Sequence, residues 1–148
     1  RTRVTAAQRD KLYDANINPI ATFPAEGVVI FGQKTLQVTP SALDRINVRR
    51  LLIYLKKEIS RIASTTLFEQ NVQATWDKFV GQVEPFLTSV KAGLGLTDFK
   101  VVLDKSTTTD DLIDRNIMYA KIFLKPARAI EFIALDFIIT RSGASFDD

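Results

Sequence analysis

The chain has 148 residues, 46% hydrophobic and 25% charged, which is the make-up of one ordinary globular domain. It contains no cysteine and no histidine, which excludes disulfides, thiolate metal sites and cysteine nucleophiles and removes the commonest general base and zinc ligand; no apolar run approaches the roughly 20 residues of a membrane helix, and no signal peptide opens the chain. Twenty Lys and Arg against seventeen Asp and Glu leave a net charge of only +3, too few for the dense basic stripe of a non-specific DNA binder, so an electrostatic partner should meet a local patch.

Residues 1–25 read as an irregular lead-in. A short helix over 4–13 is expected inside it, capped by Thr5 with Leu12 and Tyr13 facing inward. Asn18-Pro19 reads as a turn, and Pro24 breaks the pattern again. Val28, Val29, Ile30 and Phe31 form a short, β-branched, buried strand between Gly27 and Gly32. A long helix is expected to open at Thr39 as N-cap, with Pro40 at the first helical position. Its apolar stripe is Val48, Leu52, Leu55, Ile59 and Ile62, spaced 4, 3, 4, 3.

A second helical stretch carries Phe68, Val72, Trp76, Phe79 and Val83, and Pro85 ends or kinks it. A shorter helix with Phe86, Leu87 and Val90 inside is stopped by Gly93 and Gly95. Phe99, Val101 and Leu103 then alternate as a strand. A threonine-rich polar turn over 105–110 leads to a second strand over 117–124, apolar on both faces and ended by Lys125-Pro126. A third strand is expected over 131–140, with Ile133, Leu135, Phe137 and Ile139 on one face; the tail from Ser142 to Asp148 looks mobile. The fold class is α+β: a helical hairpin packed on a small, mostly antiparallel sheet.

Asp104, Asp110, Asp111 and Asp114 crowd the stretch DKSTTTDDLID, but the ligand spacing and mid-loop glycine of a calcium loop are missing. The plainer reading is that Thr109 or Asp110 caps a helical turn whose N-terminus favours acidic groups. Glu131 and Asp136, five apart on a strand, point to opposite faces and make no acid–base pair. Gly93-x-Gly95 lacks the lysine and preceding strand of a phosphate loop. No catalytic residue, metal or cofactor is expected.

The outer face of the long helix is more informative. At about 100° per residue, Arg45, Arg49 and Lys56 fall in one line, and Arg50, Lys57 and Arg61 in a second about 120° away. Ile46 and Ile53 lie between them. Such a face is either solvated with its stems laid down or a contact surface with an apolar centre and charged rim. The hydrophobic end of the chain poses a similar choice. It is either a terminal strand of this domain's own sheet or an edge completed by another chain.

Taken in order, DANINPI (14–20), FPAEGVVIFGQKTL (23–36), INVRRLLIYLKKEI (46–59), LFEQN ahead of Trp76, FKVVLD (99–104) and LKPARAIEFIALDF (124–137) resemble the carboxy-terminal part of contractile phage tail sheath proteins. The long-tailed phage type is the best match; pyocin and related injection sheaths share a looser version. The family often has proline where Gln70 stands, a departure at a helix start. The resemblance covers almost the whole chain and implies a structural virion protein. Its subunits would stack as hexameric rings around a tail tube and contract to drive the tube through the host envelope, with this part forming the inner, tube-proximal layer. It implies one domain of a longer chain, as an opening on Arg1 also suggests, with a lead-in over 1–25, a core over 26–137 and an arm over 138–148. Ile138, Ile139, Thr140 and Arg141 would be donated to a neighbour's sheet. Arg49, Arg50, Lys56, Lys57 and Arg61, with Lys125 and Arg128, are the candidates for contact with the tube. Implied partners are further copies of the chain, the tube protein, and baseplate and tail-terminator proteins, with assembly in the bacterial cytoplasm; neither nucleic acid nor membrane insertion is implied. The alternative carried by the basic helix is a nucleic-acid-binding module.

Overall fold

The computed structural model of the chain describes residues 3–135. Helix α1 (Ala6–Asp14) opens with a capping box. Gln8 N donates to Thr5 Oγ1, and Thr5 N donates to Gln8 Oε1 at 3.0 Å. Leu12 and Tyr13 are half-buried. The turn expected at Asn18-Pro19 lies earlier, at Ala15–Asn16, where Asn16 takes a left-handed φ of 59°. Strands β1 (Ile20–Phe23) and β2 (Gly27–Ile30) pair antiparallel around Pro24, Ala25 and Glu26. The lead-in therefore contains a strand that the prolines disguise. The strand over Val28 is not buried as expected: Val28 and Ile30 are exposed, because among the described residues the hairpin is a two-stranded sheet with its outer face uncovered.

Helix α2 (Ile46–Ser64) starts six residues after the expected Pro40. The stretch 33–45 instead folds into a closed loop. Lys34 bridges Arg45, Thr35 N donates to Asp44 O at 3.0 Å, and Ile46 N donates to Gln33 O at 2.8 Å. Ser41 Oγ accepts from Leu43 N, so this serine stabilises the turn rather than the helix. The expected stripe holds, with Val48, Leu55 and Ile62 buried and Leu52 and Ile59 half-buried.

Helix α3 (Gln73–Ala92) begins after Val72, so Phe68 and Val72 are not core residues. Phe68 stands fully in solvent at a φ of 68°. Pro85 neither ends nor divides α3. An interior proline costs about 3 kcal/mol, but Val83 and Leu87 on either side are fully buried. At about 1.5–3 kcal/mol per buried side chain, the two offset the missing hydrogen bond.

Strands β3 (Leu96–Val102) and β4 (Lys121–Pro126) form a second antiparallel pair, on which α3 lies. The strand expected over 117–124 starts only at Lys121, because Tyr119 is occupied by Thr108. Tyr119 N donates to Thr108 Oγ1, and the hydroxyl donates back to Tyr119 O at 3.3 Å. Between them lies the short α4 (Asp110–Asp114), with Thr109 at its N-cap position but no side-chain capping bond. Leu55, Ile62, Trp76, Phe79, Val83, Leu87, Leu96 and Leu103 form one core between the α2–α3 hairpin and the β3–β4 pair. The class is α+β, with two small sheets rather than one.

Residues 131–135 are not a strand among the described residues, and Ile133 and Leu135 are exposed rather than inward. Among the described residues neither edge of the β3–β4 pair carries a further strand, and 131–135 lies along neither. The remainder of the expected third strand, 136–140, and the tail lie outside the described residues.

Candidate functional site

Two features gather at the α2 N-terminus: the signature motifs of the lead-in and the departing end of the chain. Asn18 grips the backbone of Lys34 at both polar groups. Its Nδ2 donates to Lys34 O, and Lys34 N donates to its Oδ1, each at 2.8 Å. The side chain thus does the work of a paired strand residue. Gly32 is required beside it, since a Cβ there would sit 2.7 Å from Asn18 Oδ1 and 3.1 Å from Tyr13 Cε2. Lys34 Nζ donates to Tyr13 O at 2.6 Å and lies 4.0 Å from the Tyr13 ring centroid. Arg9 stacks over Phe23 and Phe31, 4.9 and 5.2 Å from the ring centroids.

Beyond β4 the chain crosses back to this lobe. Ala127 N donates to Gly95 O at 3.1 Å, and Asn47 Nδ2 donates to Ala127 O at 3.4 Å. Four residues on, Arg45 holds Glu131 with two parallel bonds, Nε to Oε1 and Nη2 to Oε2, the latter at 3.0 Å. Gln33 Nε2 donates to Glu131 Oε1 at 3.2 Å, and Asp44 sits 3.3 Å from Arg45 Nη1. Arg45 hydrogen bonding holds the Glu131 carboxyl below the usual carboxylate range, although burial opposes the shift. The guanidinium is raised in turn, first through Glu131. Burial, and then Glu131, push the Tyr13 hydroxyl up. A cavity of about 420 Å³ opens between α1 and this segment, walled by Arg9, Tyr13, Phe31, Glu131 and Phe132.

Arg45 therefore does not belong to the basic line in which helical spacing put it. It ends the loop before α2, and its side chain is committed to Glu131. Arg49, Arg50, Lys56, Lys57 and Arg61 do share the outer face of α2, and all are exposed. Arg61 pairs with Glu58 at 2.9 Å. Ile53 is exposed among them, while Ile46 is half-buried. Lys125 is at the far end of β4 opposite Asp98, and Arg128 lies near the α2 N-terminus beside Asn47 and Val48.

The acidic stretch is structural. Asp104 Oδ1 accepts from Ser106 N at 2.8 Å and from its hydroxyl, contacts that lower the carboxyl's pKa. Asp110 and Asp111 occupy the first turn of α4, and Asp111 reaches Arg115 at 3.8 Å. Among the described residues no three acidic side chains converge as a metal ion would need. No helix there is long and apolar enough to cross a membrane.

Comparison with known proteins agrees with this architecture. The family described as phage tail sheath C-terminal domain matches residues 38–140. The chain is 44% identical over 140 residues to the tail sheath protein of Vibrio phage KVP40, covering 95% of this chain and 21% of that protein. It is 42% identical over 142 residues to the tail sheath protein of Enterobacteria phage T4, covering 96% and 22%. It superimposes with a TM-score of 0.85 on a chain in the cryo-EM structure of the anti-feeding prophage baseplate, at 27% identity, covering 95% of this chain and 41% of that one. The matched family defines the class as a domain of tail sheath proteins. The chain belongs to the phage tail sheath family, in its C-terminal domain, and spans about a fifth of the length of the curated relatives it matches.

Sequence reasoning placed Ile138, Ile139, Thr140 and Arg141 in a donated strand; they lie outside the described residues. It missed Glu131 and Arg45 as partners. The signal available was a charged residue in the otherwise apolar run AIEFIAL, since a carboxylate there is stable only against a cation.

Proposed function

We propose that this chain is the inner domain of a contractile sheath subunit, polymerising around a tail tube as hexameric rings linked by exchanged strands. Its role in the virion is structural and not catalytic. The observation that carries the proposal is the run 130–135. Ile130, Phe132, Ile133 and Leu135 are 81%, 86%, 78% and 74% exposed, and among the described residues the β3–β4 pair has no third strand. Apolar, β-branched and aromatic residues left in water at the end of a fold are completed most economically by strand addition from another copy. Continuation of the run through Ile138, Ile139, Thr140 and Arg141 supports those residues as the donated strand.

The basic face Arg49, Arg50, Lys56, Lys57 and Arg61, with Ile53 at its centre, fits an acidic partner surface such as a tube. Exposed cations give contacts that are screened by salt and released without unfolding the subunit. Lys125 and Arg128 would serve as separate contacts. Contraction would draw on a lattice assembled in a metastable arrangement. Assembly in the host cytoplasm, on a baseplate and up to a terminator, completes the reading.

The test is electron microscopy of the full-length subunit that carries this sequence. Hollow tubes are expected from the intact subunit. Loss of tubes is expected when the chain is cut after Leu135, with thermal unfolding of the soluble subunit unchanged. Tubes formed equally well by the cut subunit contradict the strand exchange.

A further inference from the structure

Resting on the reading that the chain end is donated, we infer that Glu131 is the root anchor of that arm and that Arg45, flanked by Gln33 and Tyr13, is its socket. Glu131 is held unlike its neighbours. Its side chain is 15% exposed in a stretch where Ile130 and Phe132 stand in solvent. The bidentate pair joins positions 86 apart in sequence, and Gln33 adds a third bond from the loop preceding α2. The chain leaving β4 is thus fixed at Ala127 and again at Glu131. Phe132, Ile133, Ala134 and Leu135 then all stand in solvent.

The geometry moves the root of the arm from 138, where the sequence suggested it, to 131. At about 3.3 Å per residue, the seven residues from Glu131 to Ile138 span roughly 23 Å. An arm rooted at 131 therefore has that much more reach than one rooted at 138. A bidentate arginine fork also fixes direction, not only position. The pair therefore sets the angle at which the arm departs, and Arg45 and Glu131 act as positioning residues for assembly.

The experiment uses the full-length subunit with three changes: Glu131→Gln, Arg45→Met, and the exchange Arg45→Glu with Glu131→Arg. In unpolymerised subunits held at high salt, limited proteolysis within 128–135 should speed up about tenfold in each single variant, because cleavage follows the population of the released segment. Thermal unfolding should stay within a few degrees of the parent. Under assembly conditions the single variants should give short or irregular tubes, and the exchanged pair should restore both readouts at least halfway. Unchanged proteolysis and normal tubes in both single variants overturn the anchor. So does an exchanged pair as defective as the singles while unfolding normally. If a single variant fails to fold, the exchanged pair alone decides by the same two readouts. The proteolysis arm needs no polymer, so it separates failure of the anchor from failure of strand exchange, which the cut after Leu135 tests by itself.

Discussion

At the scale of single residues, the lobe ahead of α2 depends on two small side chains. Asn18 replaces a strand residue by bonding both polar groups of Lys34, and this works only because Gly32 leaves room. Gly32→Ala forces the new methyl to 2.7 Å from Asn18 Oδ1 and against the Tyr13 ring. It should lower stability by about 1–3 kcal/mol, the range for strained small-to-large changes. Asn18→Ala should fall in a similar range, about 1–3 kcal/mol, by leaving the Lys34 amide and carbonyl unpaired. Urea denaturation measures both. An effect under a few tenths of a kcal/mol in either would show that the clamp contributes nothing. In the sequence Asn18 read as part of a turn and Gly32 as the end of a strand, not as partners. The partner of each lies more than a dozen positions away, and no periodicity links them. Glu131 was hidden for a similar reason: an alternating pattern assigned it to a strand face, whereas its conformation is fixed by one long-range ion pair.

At the scale of elements, local pattern located the helices but not their ends. The 4, 3, 4, 3 stripe fixed the buried face of α2, because burial of Val48, Leu55 and Ile62 depends only on helical geometry. The start was misplaced because Thr39-Pro40-Ser41 suits a turn as well as a cap, and the bridge from Lys34 to Arg45 decides between them. Pro85 was given too much weight because its exposed position does not reveal that Val83 and Leu87 hold the helix together around it. It follows that α3 carries a standing penalty. Pro85→Ala should raise stability by about 1–3 kcal/mol, somewhat less than the intrinsic cost because the unfolded chain also gains freedom. Leu87→Ala should lower it by about 2–5 kcal/mol. Denaturant midpoints at constant m-value check both. A destabilised Pro85→Ala would mean that the ring makes a contact the helix needs.

At the scale of the whole molecule, the carboxy-terminal segment is tied to the rest by charge as well as by packing, so acid should loosen it before the core. Glu131 titrates below its ordinary value of 4.5, a folded-state shift downward. Its contribution is complete above that value and is lost as pH falls from it toward the lower folded value. The groups around the carboxylate are Arg45 and Asp44 beside it, Tyr13 with Arg9 and Asp10 on α1, and Arg128 on its own segment. Proteolysis within 128–135 should therefore accelerate below about pH 4.5 while the helical signal persists, and the Glu131→Gln variant should show no such step. A single coincident transition would mean that the segment is not separately anchored. The fold class was legible because the core lies in one chain. What would complete the sheet on the proposed reading was not, because it would come from a second copy.

The most direct measurement is a near-atomic reconstruction of the polymer formed by the full-length subunit. The chain after Glu131 should leave its own domain and pair as a strand on the sheet of an adjacent copy, with the Arg45–Glu131 fork intact at its root. Density showing that stretch paired on β3 or β4 of its own subunit, with no neighbouring copy touching it, would contradict the account.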